Sequence, residues 1–95
     1  MFVVIAKQKV LPGKSEIFKE NVAALAPQTR QCPGCISYEL LQSREDENVF
    51  IIHEVWDNDK DFAAHFETDF TKAFGETLEG VVDGDVEPYI CNVVV

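Results

Sequence analysis

The 95-residue sequence has few basic residues: eight lysines and arginines against 17 aspartates and glutamates, for a formal net charge of −9. Such a surplus of negative charge repels phosphate backbones and anionic membrane surfaces. The sequence also lacks any apolar run close to the roughly 20 residues of a membrane-spanning helix. The composition therefore argues against a nucleic-acid partner and against a membrane protein.

Cysteine is scarce as well: the sequence contains three cysteines, an odd number. A secreted disulfide scaffold would leave one of these thiols unpaired. The N-terminal segment MFVVIAKQKVL has neither the basic start nor the small-residue cleavage site of a secretory signal. We therefore expect a cytoplasmic protein in a reducing compartment. Its length predicts a single domain over residues 1–95.

Apolar periodicity predicts the element order β-α-β-β-α-β, with strands over residues 2–11, 35–43, 49–56 and 86–95. Ser15 is the expected cap of the first helix. In the second helical segment, phenylalanine recurs at every fourth residue, and this spacing drifts around a straight helix by about 40° per step. We therefore expect a break near Thr68. The order is that of a ferredoxin-like α+β fold with an antiparallel sheet.

The predicted strands are apolar on both faces. In the third strand, Phe50 and Ile52 point to one side while Ile51 and Val55 point to the other. Two crossover helices cover only one face of a four-stranded sheet, so a second copy of the chain is the expected cover for the other. We predict a homodimer packed sheet against sheet. Residues 93–95, all valine, would continue the last strand into the partner's sheet.

The segment QCPGC, residues 31–35, is open to three interpretations: a redox pair, half of a zinc site, or a turn. Cys32 and Cys35 follow a helix rather than precede one, so the adjacent dipole has the wrong sign to stabilise a thiolate. A zinc site would need a second close pair of ligands, which the sequence does not offer. Pro33 and Gly34 are typical of a type II turn. The turn is favoured, no metal site is expected, and a redox role stays open.

His65 is the candidate catalytic residue. It lies on the same helical face as the phenylalanines, with Asp61 and Asp69 four residues away on either side as possible partners. On the neighbouring strand, Glu54 and Trp56 share a face. A histidine in an apolar cleft near a buried carboxylate can act as a general base. The alternative is a core histidine whose role is structural.

The segments PGCISYEL and EVWDNDKDFAAHF, followed by an aromatic-rich helix, resemble the antibiotic biosynthesis monooxygenase family. The resemblance covers nearly the whole chain. It implies a ferredoxin-like subunit that pairs with a second one into a dimeric α/β barrel. It also implies that Cys35 is an ordinary turn residue.

The resemblance further implies an oxidoreductase, a monooxygenase that oxidises an electron-rich phenol or quinol with O2 and needs no cofactor. Haem degradation is disfavoured because Lys7, His65 and Phe74 stand where haem-degrading relatives carry other residues. An isomerase of a small dicarbonyl using His65 and a non-catalytic ligand-binding module are the alternatives. Lys7, Lys9 and Arg30 grouped at the cleft would favour the isomerase, whereas an open cleft at His65 would argue against the binding module. The expected substrate pocket is lined by Trp56, Phe62, Phe66, Phe70, Phe74, Tyr38 and Glu54.

Overall fold

The computed structural model describes residues 1–95 and contains four strands and three helices. In chain order they are β1 (Phe2–Lys9), α1 (Ser15–Arg30), β2 (Cys35–Gln42), β3 (Val49–Trp56), α2 (Asp59–His65), α3 (Asp69–Glu76) and β4 (Glu87–Cys91). The strands form one sheet in the order β2-β3-β1-β4, and every neighbouring pair is antiparallel. The predicted ferredoxin-like α+β fold is confirmed.

The sheet has an inner face toward the helices and an outer face on the opposite side. Alternate residues of β1 are buried on the inner face, from Phe2 to Gln8. In β3, Phe50 and Trp56 lie on the inner face with no exposed surface, whereas Ile51 and Val55 remain partly exposed on the outer face. The helices therefore cover one side of the sheet, and an apolar surface is left on the other.

The core lies between α1 and the inner face. Phe18 and Val22 of α1 are about 1% exposed, and the Phe18 ring lies 5.0 Å from the ring of Phe50. A smaller cluster joins Phe2, Val4 and Trp56 at the other end of β1. Burying side chains of this size stabilises a fold by roughly 1.5–3 kcal/mol each. These two clusters fix the sheet against which the site is built.

The beginning of α1 and the end of β4 differ from the sequence prediction. Ser15 does not cap α1: Lys14 occupies the cap position, and the Ser15 hydroxyl instead donates to the Glu47 carbonyl at 2.9 Å. The last strand ends at Cys91. This residue pairs with Val3, which is close to the start of β1, so β1 offers almost no further residues for pairing. Residues 92–95 are exposed and lie outside the strand.

The predicted break near Thr68 is confirmed. Asn58 caps α2 by accepting from the Asp61 N–H at 2.8 Å. Thr68 caps α3 by accepting from the Thr71 N–H, and its hydroxyl donates to the His65 carbonyl at 2.7 Å. A single threonine thus ends one helix and begins the next.

Residues 32–35 form the predicted turn. The Cys35 N–H donates to the Cys32 carbonyl at 3.2 Å, and Gly34 has φ +79°. The N-terminus of α2 packs directly on this turn, since a Cβ added to Gly34 would lie 2.5 Å from Asp61. The glycine therefore serves both the turn conformation and the close approach of the helix.

None of the helices in the structure is long and apolar enough to span a membrane.

Candidate functional site

A cavity of about 670 Å³ lies between the inner face of the sheet and the helices. Its floor is formed by β1, β2 and β3, and its walls by α1, α2, α3 and the segment that precedes β4. Most of the lining is apolar, including Val4, Ile52, Phe62 and Phe74. Polar side chains reach this surface at a few defined positions, and they determine what the cavity can do.

His65, the last residue of α2, lines the cavity and is 7% exposed. Its ring stacks on Trp56 at 4.6 Å between centroids, with 30° between the planes, and lies 4.2 Å from the ring of Phe66. Its Nδ1 contacts the Phe62 carbonyl. A carbonyl can only accept, so Nδ1 carries the proton and Nε2 is the unprotonated nitrogen of the neutral ring. The imidazole is thus held in the tautomer that can accept a proton at Nε2.

The aspartates expected beside His65 do not contact it. The carboxylate of Asp61 instead accepts from the side-chain amide of Asn58 at 2.9 Å, within the cap of α2. Asp69 belongs to α3, and the break at Thr68 removes the helical spacing that would have placed it beside the histidine. This part of the sequence prediction is wrong, because the Asp61 carboxylate is used within the cap of α2 and Asp69 lies beyond the break.

Glu54 provides a carboxyl group next to His65 on the cavity floor. It is 8% exposed, and its Oε1 accepts from the Trp56 indole N–H at 2.9 Å. Burial raises the pKa of Glu54, while the Trp56 hydrogen bond and the nearby His65 and His53 oppose this rise. The side chain is therefore more easily protonated than an ordinary glutamate and is held in one orientation by the indole.

Tyr38 lies opposite Glu54 in the register of β2 and β3. It is 5% exposed and lines the cavity. Its main-chain carbonyl accepts two hydrogen bonds from Arg30, at 2.8 and 3.0 Å, but its hydroxyl has no partner within the chain. Burial first, and then Glu54 and Cys35, raise the pKa of the Tyr38 hydroxyl, so it stays protonated. It is available as a hydrogen-bond donor inside the cavity.

Gln8 is a cavity residue that the sequence pattern alone did not identify. It is 5% exposed on the inner face of β1, and its Nε2 donates to the carbonyls of Lys9 at 2.8 Å and Gly84 at 3.2 Å. One signal was available, since this glutamine falls in phase with Phe2, Val4 and Ala6 on the buried side of the strand. Polar residues on such a face need a specific partner.

The structure brings most of the predicted pocket residues to one cavity but leaves two outside it. His65, Glu54 and Tyr38 are joined there by three phenylalanines, namely Phe62, Phe66 and Phe74. Trp56 lies behind Glu54 and His65 with no exposed surface. Phe70 borders a separate, shallower depression between α1 and α3. The tryptophan therefore supports the site without forming its surface.

The basic residues weighed for an anionic substrate do not gather at the cavity. Lys7 and Lys9 are exposed on the outer face, and Arg30 is bound to the Tyr38 carbonyl. Lys72 is the basic residue that lines the cavity, and its ammonium lies 3.4 Å from Glu67. The arrangement expected for a phosphorylated substrate is therefore not formed.

Cys32 and Cys35 lie beside this site in the turn before β2. Burial raises the pKa of both thiols, and the charges of Glu54 and Cys32 raise that of Cys35 further. A raised pKa opposes the thiolate form on which redox chemistry depends. Elsewhere, no group of three or more histidine, cysteine, aspartate or glutamate side chains is arranged to hold a metal ion.

Comparison with known proteins gives one family. The sequence model of the antibiotic biosynthesis monooxygenases matches residues 1–77. An uncharacterized protein of Synechocystis is 35% identical over 74 residues, an alignment that covers 78% of this chain and 50% of that protein. The chain thus spans about half the length of this curated relative.

Solved structures agree in fold. A structure from Nitrosomonas europaea, provisionally named an antibiotic biosynthesis monooxygenase, superposes on this chain with a TM-score of 0.94. The two sequences are 28% identical, and the superposition covers 100% of both chains. A structure from Caulobacter crescentus, also provisionally named an antibiotic biosynthesis monooxygenase, superposes with a TM-score of 0.92. The two sequences are 27% identical, and the superposition covers 99% of this chain and 90% of the other.

Proposed function

Because this chain belongs to the antibiotic biosynthesis monooxygenase family, we propose that it is a monooxygenase that oxidises an electron-rich phenol or quinol with O2, without a metal or flavin. The observation that carries this proposal is the state of His65. Its Nδ1 contacts the Phe62 carbonyl, so in the neutral ring Nε2 is the nitrogen that can accept a proton, and the residue lies on the wall of an apolar cavity. A phenol needs such a base before O2 can oxidise it.

The reaction begins when Nε2 of His65 takes the hydroxyl proton of the substrate. The resulting phenolate is electron-rich, and it passes one electron to O2. The superoxide and substrate radical then combine to form a carbon–oxygen bond and a hydroperoxide. When the O–O bond breaks, one oxygen stays in the product and the other takes up protons, including the one held by His65, and leaves as water. For a quinol, the product is a hydroxyquinone, and all four electrons that reduce O2 come from the substrate.

The other polar groups have roles that suit this sequence of steps. The Tyr38 hydroxyl, which has no partner within the chain, donates to the phenolate oxygen and stabilises the charge formed by deprotonation. Glu54 lies near His65, and the Trp56 indole holds its carboxyl group in one orientation beside the ring that receives the proton. The apolar walls keep bulk water from the radical pair.

The alternatives have less support. A dicarbonyl isomerase acting on a phosphorylated substrate needs basic side chains at the cavity, and Lys7, Lys9 and Arg30 lie elsewhere. A non-catalytic binding module does not require a histidine with a free basic nitrogen at the cavity wall. The proposed oxidation uses both the apolar lining and the orientation of the imidazole.

Oxygen uptake tests the proposal directly. Purified protein would be treated with a chelator, checked for the absence of flavin absorbance, and supplied with a series of hydroquinones and polycyclic phenols in an oxygen electrode. We expect one class to be oxidised well above its rate with heat-denatured protein. The absence of uptake with every compound would contradict the cofactor-free monooxygenase. Uptake that untreated protein shows and chelator-treated protein lacks would contradict it as well.

His65→Ala should lower the turnover number by roughly 10²- to 10⁴-fold, the usual effect of removing a positioned proton-transfer group. The matched control is His53→Ala, since His53 lies on the outer face, away from the cavity. Melting temperatures are measured on the same samples. A His65→Ala protein that is less stable but fully active would show that this histidine is structural.

A further inference from the structure

Glu54 is a buried carboxyl group without a cationic partner. It is 8% exposed and lines the cavity. No lysine or arginine forms an ion pair with it, and its one hydrogen bond comes from the neutral indole of Trp56 at 2.9 Å. A single neutral donor does not offset the cost of burying a carboxylate charge. The environment therefore favours the neutral acid, in agreement with the pKa of Glu54, which burial raises.

The Trp56 indole also determines which oxygen of the acid carries the proton. An indole N–H can only donate, so Oε1, which accepts from it, is the carbonyl oxygen of the neutral acid. Oε2 then carries the hydroxyl proton, and it has no partner within the chain. Among side-chain nitrogen and oxygen atoms fully shielded from solvent, only Nδ1 of His53 lacks a partner. Oε2 therefore keeps access to open space, and at a residue this buried that space is the cavity.

The same indole connects Glu54 to the proposed base. It donates to Glu54 at 2.9 Å and stacks on His65 at 4.6 Å between ring centroids, so the acid and the imidazole are both held by one side chain with no exposed surface. Tyr38 pairs with Glu54 across β2 and β3, and its hydroxyl is a second donor in this cavity that the chain leaves unused. One base and two donors thus surround a common part of the cavity.

We infer that Glu54 binds the substrate as a neutral carboxylic acid whose Oε2–H donates to the phenol oxygen that His65 deprotonates. The inference rests on the proposed function for the identity of that oxygen. Once the oxygen is anionic, a carboxylate beside it would add like-charge repulsion. The neutral acid donates instead, and together with Tyr38 it supplies two hydrogen bonds to the developing charge. A carboxylic acid kept neutral by an apolar site is a known donor of this kind. Glu54 keeps its proton throughout, so it is a donor and not a second base.

Other charged or titratable groups face Glu54 from the neighbouring elements, and a pH-dependent test must separate their effects. Arg30 and Lys72 are already engaged, by the Tyr38 carbonyl and by Glu67. Histidines in general change charge near neutral pH. Every protein compared below therefore retains all of the groups in this set, which are Tyr38 and Cys35 of β2, His53 of β3, Arg30 of α1, His65 of α2, Lys72 of α3 and Asp85 before β4.

A phenolate that does not react with O2 tests the inference by binding alone. The probe is 2,4-dinitrophenol, which is too electron-poor to be oxidised and is ionised from about pH 5 to about pH 8, the range in which a buried glutamate titrates. In Glu54→Gln, the amide oxygen still accepts from the indole, and the amide N–H replaces the O–H at every pH. We expect the variant and wild type to bind equally at the acidic end. Wherever the pH exceeds the pKa of Glu54, the wild type must take up a proton to bind, so it should weaken relative to the variant by up to about tenfold per pH unit. A variant that binds more tightly by the same factor at every pH would overturn the inference, because Glu54 would then be a carboxylate throughout.

Glu54→Met isolates the hydrogen bond, since it removes the donor and keeps the length of the side chain. It should bind the phenolate roughly 3- to 10-fold more weakly than Glu54→Gln, the usual effect of one hydrogen bond. Equal affinities would overturn the inference. The control is Glu20→Gln, the same change at an exposed residue of α1 outside the cavity, which should bind as wild type does.

An infrared measurement decides the question if Glu54→Met does not fold. The difference spectrum between wild type and Glu54→Gln, both with the phenolate bound, should contain the carbonyl band of a protonated carboxylic acid. Its absence would overturn the inference.

The outcome is separable from that of the proposed function. Phenolate binding with a neutral Glu54, together with no oxygen uptake for any phenol, would remove the oxidation and keep the donor. Oxidation of quinols by a protein whose Glu54 binds the probe as a carboxylate would keep the oxidation and remove the donor.

Discussion

Gly34 is the residue at which the turn before β2 and the start of α2 meet. Its φ of +79° lies in the left-handed region, and Asp61 occupies the place where a side chain would begin. Gly13 has nearly the same backbone angle, φ +82°, but has nothing within 4 Å of an added Cβ. The two glycines separate the cost of a backbone conformation from the cost of a steric clash.

We predict that Gly13→Ala lowers the free energy of unfolding by about 1 kcal/mol, the usual cost of a left-handed alanine. Gly34→Ala should lower it by about 2–4 kcal/mol, because overpacking against Asp61 adds to that cost. Urea titrations of the two variants measure the difference. Equal losses would mean that α2 moves away from the turn without penalty.

Glu54 gives the stability of the protein a pH dependence of known sign. Burial raises its pKa above the ordinary value of 4.5. The folded protein therefore holds this proton more tightly than the unfolded chain does. Between 4.5 and the raised pKa, the folded state binds more protons, so this group makes the protein less stable as the pH rises. Below 4.5, the carboxyl is protonated in both states and contributes no such change.

Glu54→Gln removes this titration, and the amide oxygen can still accept from the Trp56 indole. We expect the melting temperature of the variant, relative to wild type, to increase as the pH rises from 4.5 through the raised pKa. The control is Glu20→Gln on the exposed side of α1, which makes the same substitution at a carboxylate that is not buried. A difference for Glu54→Gln that stays flat or falls as the pH rises would contradict a raised pKa in the folded state.

At the scale of the elements, the junction between α2 and α3 sets the shape of the cavity. The Thr68 hydroxyl is bonded to the His65 carbonyl at the end of α2 and accepts from the Thr71 N–H at the start of α3. Phe62 and Phe66 precede this junction and Phe74 follows it, and all three line the cavity. The threonine therefore fixes the angle between two walls of one cavity.

We predict that Thr68→Ala destabilises the protein by about 0.5–2 kcal/mol, the usual loss for a helix cap, and also lowers substrate affinity. Thr68→Ser keeps the hydroxyl and should retain most of both. Melting temperature and the Michaelis constant are measured together. If Thr68→Ala lowers stability but leaves the Michaelis constant unchanged, the junction has no influence on the cavity.

The same elements show how far the sequence can predict the structure. The four-residue phenylalanine spacing predicted the break between α2 and α3, and apolar alternation predicted both faces of β3, because each pattern is local. The partners of Asp61 and Ser15 were mispredicted, since a cap and a loop contact depend on where the chain turns. Gln8 was missed because its role depends on Gly84, which is distant in sequence and adjacent in the fold.

At the scale of the whole molecule, the outer face of the sheet carries apolar side chains without cover in the single chain, alongside Lys7 and Lys9. Ile5, Ile51 and Val55 lie partly exposed there, and Tyr89 is 60% exposed. His53 lies among them, with its Nδ1 lacking a hydrogen-bond partner and 3.8 Å from a Glu39 oxygen. Apolar surfaces of this kind are typical of association between chains.

We predict a homodimer formed by two outer faces. Sedimentation equilibrium should give twice the mass of the chain at micromolar concentration. Ile5→Lys, which places a charge within the face, should yield monomers, whereas Ile17→Lys on α1 should leave the dimer intact because Ile17 is already 41% exposed away from that face. Deleting residues 93–95 should weaken the dimer. A wild-type monomer under these conditions would remove the proposed assembly.

The cavity opens on the side of the sheet that bears the helices, opposite the surface proposed for pairing. In such a dimer the two cavities face away from each other, with two sheets between them. Neither copy would supply side chains to the other's floor, so occupation of one cavity has no direct contact through which to alter the other. The dimer should therefore bind one ligand per chain with a hyperbolic saturation curve, and ligand binding should show no cooperativity.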